Sequence, residues 1–136
     1  MGEDILVIEN LTEQMMAAGA RLVQRLDDTA ADVAAAFWFY SSENRSWRLM
    51  IASQKVEFDG PRKYYKRILD ANKEAGETES VVALEDTEVT DTSASIVQVL
   101  KHAVSTGPGI SGLRFSRNTV QGMFIDDVYV YRMNID

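Results

Sequence analysis

Two aromatic-rich segments separated by a polar hexapeptide constrain this chain more than any other stretch. Residues 34–53 read AAAFWFYSSENRSWRLMIAS and contain both tryptophans. Ser41 to Ser46 supply turn-type side chains between two apolar flanks, the pattern of a β-hairpin. With Glu43 and Asn44 at the tip, antiparallel pairing sets Tyr40 opposite Trp47, Trp38 opposite Leu49 and Ala36 opposite Ile51 on one face. Phe39 then meets Arg48, and Phe37 meets Met50, on the other face.

That second face is the unusual part. An antiparallel sheet with one solvated face alternates apolar with polar residues, whereas Phe37, Phe39 and Met50 make both faces of this hairpin apolar. Cover has to come from the chain's own helices, from the apolar tetrad Ile5 to Ile8, or from a partner chain. Phe37, Phe39 and Met50 are therefore the candidate interaction surface, with a second copy of the chain as one partner.

The rest of the chain supplies helices and further strands. Asn10 followed by Glu13 resembles a capping box, and Leu11, Met15, Ala18, Leu22 and Leu26 recur at helical spacing, which predicts a first helix over 11–27. Gly19 inside it reads as a tolerated defect costing about 1 kcal/mol relative to alanine, or as a close approach to a neighbour. Residues 54–60 read as a loop. Asp59, Gly60 and Pro61 open a second helix expected over 61–75 and closed by Gly76. Residues 80–86 read as a strand and 87–92 as an acidic loop. Ile96, Leu100 and Ala103 or Val104 predict a third helix that ends at the Thr-Gly-Pro-Gly run at 106–109. From Gly112 the pattern is β-rich, with Asn118 as a turn candidate and Gln121-Gly122 as either a turn or a bulge.

The order α-β-β-α-β-α-β-β lacks the regular alternation of a doubly wound sheet. It points to a single α+β domain over 1–136, a two-layer sandwich of about five mainly antiparallel strands with three helices on one face. Residues 1–9 are an edge strand, a helix lead-in or a flexible segment. With 46% hydrophobic and 26% charged residues the composition is that of a globular protein. No apolar run approaches the roughly 20 residues that cross a bilayer, and no secretory signal is recognisable at the N-terminus, so no membrane association and a cytoplasmic location are expected.

Chemistry-bearing motifs are sparse. The absence of cysteine excludes disulfides and thiolate chemistry, and His102 as the single histidine excludes multi-histidine metal sites. His102 falls near a helix C-terminus, where a cation needs no catalytic role. The adjacent pairs Glu85-Asp86 and Asp126-Asp127 would point to opposite faces of their strands, so each offers one side chain to a shared site. TGPGISG at 106–112 resembles a phosphate loop only in glycine content, since it follows a helix and lacks lysine. No catalytic residue, metal site or cofactor is assigned.

Charge is segregated within a net of -7. Residues 45–73 hold eight bases against three acids, a local +5, and residues 74–91 hold seven acids and no base. Arg62, Lys63, Lys66 and Arg67 on the second helix are the candidate anion-binding group, with Tyr64 and Tyr65 interleaved as stacking rings or core residues. The leading expectation is a non-catalytic bacterial or phage-like interaction protein that acts through its hydrophobic sheet face on a protein partner or as a homodimer. The alternatives are an anion or nucleic-acid binding module built on the second helix, and a small hydrolase or phosphoesterase.

Overall fold

The computed structural model describes residues 10–135, so the tetrad Ile5 to Ile8 and the alternatives for the N-terminal segment lie outside the described residues. The first helix, α1 (Glu13–Asp28), begins at Thr12, whose Oγ1 accepts the Met15 N–H at 3.0 Å. Capping at Thr12 rather than Asn10 leaves Leu11 just outside the helix, where it is buried in the core. The hairpin follows as β1 (Ala35–Ser41) and β2 (Ser46–Ala52). Its register is the one expected: Tyr40 pairs with Trp47, Trp38 with Leu49, and Phe37 with Met50.

After β2 the residues read as a loop instead form a short helix, α2 (Gln54–Asp59), with Ser53 accepting the Lys55 N–H at 3.1 Å. Only Val56 of this helix is buried, so no apolar stripe marks it in the sequence. Helix α3 (Pro61–Lys73) starts at the expected proline and stops short of Ala75, with Glu74 as its C-cap. Tyr64 is buried, and its hydroxyl donates to the Ala31 carbonyl at 2.9 Å. The third strand lies later than its hydrophobic pattern suggested. Residues 80–83 belong to no strand, Leu84–Asp86 form a 3-10 turn, and β3 is Thr87–Thr90. Thr87 and Val89 face inward and Glu88 outward, a half-buried alternation within the stretch read as an acidic loop.

Helix α4 (Ser95–Leu100) is six residues long, and the chain leaves it at Lys101 rather than at Thr106. Two long strands close the chain, β4 (Leu113–Val120) and β5 (Met123–Met133). Gln121 and Gly122 join them with φ of 49° and 79°, the left-handed pair of a two-residue hairpin turn. Asn118, expected at a turn, is instead paired with Ile125.

The five strands form one sheet in the order β3-β2-β1-β5-β4, antiparallel except between β2 and β3. The α+β class and mainly antiparallel sheet expected from the sequence are what the chain adopts. The placement of helices on one face requires amendment. Helices α1 and α3 bury one face, with Trp38, Leu49, Ile51 and Tyr131. Helix α4 lies against the other, with Phe37, Met50, Val128 and Val130.

An irregularity in β5 positions α1. Ala36 pairs with Arg132 but Phe37 pairs with Val130, so Tyr131 is an extra residue and a β-bulge. The bulge sends Tyr131 and Arg132 consecutively toward α1. Tyr131 Oη accepts the Trp38 indole N–H at 2.9 Å and donates to the Met16 carbonyl. Arg132, only 4% exposed, holds Asp27 at 2.9 and 2.8 Å through two nitrogens and also donates to the Val33 and Gly109 carbonyls. Gly19 sits where α1 crosses this pair. A Cβ there would collide with the Tyr131 hydroxyl and lie 2.9 Å from Trp38 Nε1. The glycine marks a close approach rather than a tolerated defect.

Gly19→Ala separates these two readings. Helix propensity alone would stabilise the variant by up to about 1 kcal/mol, whereas forcing a methyl into a filled contact costs roughly 1–3 kcal/mol. Urea denaturation is expected to show a net loss, and a gain in stability would remove the close-packing account.

Candidate functional site

The three residues proposed from sequence as an interaction surface divide when the fold is assembled. Phe37 is 0% exposed and Met50 is 7% exposed, both packed in one cluster with Val97 and Leu100 of α4. The chain's own helix α4 covers them, one of the sources of cover expected from the sequence, so Phe37 and Met50 are core residues rather than an exposed interaction surface. Phe39 is different. It remains half-buried at the end of the same face, because α4 is too short to reach across it. Phe39, Ile96 and the edge of Met50 line a groove of about 490 Å³ rimmed by Arg48 and Glu88. Arg48 and Glu88 are exposed, and neither forms an ion pair among the described residues. Ile96 was visible in the sequence only as a helix core position, and Glu88 only as part of an acidic loop. Their role follows from the parallel pairing of β3 with β2, which sets Glu88 beside Met50.

The basic residues of α3 do not converge. Lys66 pairs with Asp70 at 3.2 Å one turn on, an exposed contact. Arg67 lines a cleft against α1 that also holds Arg25, Asp28, Asp70 and Glu74. Arg62 instead borders an open groove with Arg48, Tyr65 and Glu85, and Lys63 is exposed and lines neither. Tyr65 accepts the Val89 N–H at 3.3 Å and so closes the outer edge of β3, rather than standing free as a stacking ring.

The residues considered for catalysis are equally dispersed. His102 is exposed in the turn after α4. Glu85 and Asp86 are exposed in the 3-10 turn, and Asp126 and Asp127 lie on β5. Asp127 is committed to Arg114 through paired contacts of 3.0 and 2.6 Å. Among the described residues no group of three acidic or histidine side chains is arranged to hold a metal ion. The 106–112 segment is used structurally: Thr106 and Ser111 donate backbone N–H groups to Met133 and Tyr131, and Gly109 receives Arg132. No described helix is long and apolar enough to cross a membrane.

The acidic linker between α3 and β3 is pinned to α1 by charge. Glu79 meets Arg25 at 2.7 Å and Arg21 at 3.0 Å, while Arg21 also donates to the Ser80 carbonyl at 3.1 Å. The local excess of acid after residue 74 is thus partly answered by bases of the first helix, a pairing that sequence separation conceals. Comparison with protein families, with curated proteins and with solved structures found no match to this chain.

The Glu79 contacts carry a pH dependence of defined sign. The hydrogen bond from Arg25, followed by the charges of Arg25 and Arg21, holds the Glu79 carboxyl below its usual range. A lowered pKa means that the pinning contributes fully above the ordinary glutamate value of about 4.3 and is lost as pH falls through the folded-state value. Amide protection across residues 79–82 should fall on acidification in the wild type. In Glu79→Gln it should already be low at neutral pH and change less; an unchanged acid response in that variant would assign it to another group.

Proposed function

We propose that this chain is a non-catalytic interaction protein whose docking surface is the groove around Phe39, and that the occupant is a second copy of the chain. The observation that supports this reading is the charge arrangement on an apolar groove. Phe39 and Ile96 supply the apolar floor, and the rim carries one base, Arg48, and one acid, Glu88, neither in an ion pair among the described residues. A two-fold contact presents the same patch from both sides, so Arg48 of one copy can meet Glu88 of the other twice over. The apolar floor then provides the desolvated centre and the charges provide register. The dispersal of His102 and the carboxylates supports the absence of chemistry in this reading.

The test is the solution mass of the wild type and two charge variants, measured by sedimentation at several concentrations. The wild type should be a dimer. Arg48→Glu should be folded and monomeric, or weaker in self-association by at least about tenfold, because it places like charges across the interface. Adding Glu88→Arg to that variant should restore the dimer. A monomeric wild type, or a double variant no better than the single one, would overturn the reading.

A further inference from the structure

On the other face of the same hairpin end, three arginines from one turn and one strand line a cleft of about 670 Å³. Arg45 lies in the β1–β2 turn, and Arg114 and Arg117 lie on β4. Arg114 is fixed in place. Asp127 holds its Nε and one terminal nitrogen at 3.0 and 2.6 Å, and the guanidinium carbon stands 5.6 Å from the centre of the Trp47 ring. The remaining Nη1 donors are not used by Asp127.

Arg45 and Arg117 differ from Arg114 in having no ion pair among the described residues. Both also adopt positive φ, 51° and 52°, a backbone conformation that residues other than glycine seldom take. At Arg117 the β4–β5 ladder is interrupted: Ser116 pairs with Asp127 and Asn118 with Ile125, and the intervening pair is missing. The faces of the hairpin exchange there, since Val128 and Ile125 both enter the core cluster despite their odd spacing. The interruption places Arg117 beside Arg114 and Arg45 instead of alternating away from them.

We propose that this cleft binds the phosphate of a small hydroxyl-bearing phosphate monoester. Arg45 and Arg117 are the cations that close on its oxygens, and Ser42 and Ser116 line the same cleft as hydroxyl donors. Arg114 gives a pre-positioned guanidinium edge. The Asp127 charge is already answered by Arg114, which leaves two guanidinium groups against Asp126 in a protein whose net charge is -7. Asp126, as an acceptor in a phosphate cleft, suits a ligand that also presents a hydroxyl group. A sugar phosphate and a nucleoside monophosphate share this chemistry. The site is separate from the α3 bases and shares no lining residue with the Phe39 groove.

The experiment is titration of the isotopically labelled chain with ribose phosphate, adenosine monophosphate and inorganic phosphate. Saturable amide shifts at Ser42, Arg45, Ser116 and Arg117 are expected with the two esters, and weaker ones with inorganic phosphate. Tighter binding of the nucleotide than of ribose phosphate would identify a base contact, and equal binding would identify the sugar phosphate as the unit recognised. Arg45→Asn with Arg117→Asn should lower affinity by at least about tenfold, asparagine being chosen because it tolerates positive φ. Arg62→Gln with Lys66→Gln on α3 should bind as the wild type does. No saturable shift in the millimolar range, or an equal loss in the α3 variant, overturns the proposal.

Discussion

The bulge at Tyr131 is the constraint on which the packing of the first sheet face depends. A regular strand would send Tyr131 and Arg132 to opposite faces, and only one of them could meet α1. With the extra residue both do so. The tyrosine hydroxyl then links the Trp38 indole to the backbone of α1, and the guanidinium links the last turn of α1 to the carbonyls of Val33 and Gly109. Burying a guanidinium carries a desolvation penalty of several kcal/mol unless its charge and its donors are answered. Here a paired carboxylate and two carbonyls answer them, and among the described residues no buried side-chain nitrogen or oxygen lacks a partner. Gly19 completes the arrangement by allowing the helix to approach.

The central hairpin was legible because its information is local. Side chains alternate with period two and the turn fixes the register, so one placement of the tip determines every pair from Tyr40–Trp47 to Ala36–Ile51. Elements defined by distant partners were not legible. β3 is four residues long, and its identity comes from parallel pairing with β2 across two intervening helices. Residues 80–83 have the better strand composition but no partner, since they pack beside α1 with Val82 buried. α2 buries a single side chain, too few to create a periodic pattern. The bulge itself is invisible in the sequence because VYVYRM alternates acceptably until Arg132, and nothing local indicates that its charge is matched by Asp27, 105 residues away.

Surface chemistry shows the same division. Composition disclosed that charge is segregated, but the fold decides which charges meet. Glu79 is consumed by α1 and Lys66 by Asp70, so the apparent basic stripe on α3 is fragmented. Arg48 and Glu88 acquire a shared context only when β3 lies beside β2. Phe37, Phe39 and Met50 were legible as apolar residues in need of cover, whereas the shortness of α4, which covers Phe37 and Met50 but leaves Phe39 half-buried, was not. Two surfaces therefore remain open for different reasons: an apolar groove because α4 ends early, and an arginine cleft because the outer hairpin changes face.

The claim that the β5 bulge holds α1 on the sheet rests most directly on the Asp27–Arg132 pair. A double-mutant cycle of Asp27→Ala, Arg132→Met and the combined variant, read from urea unfolding, measures it. Removal of Asp27 alone should cost about 3–5 kcal/mol, because it strands a buried cation. The combined variant should be more stable than the sum of the two single losses requires, with a coupling of about 1–3 kcal/mol. Single losses that add to within about 0.5 kcal/mol would show that the two residues act independently and would contradict the account.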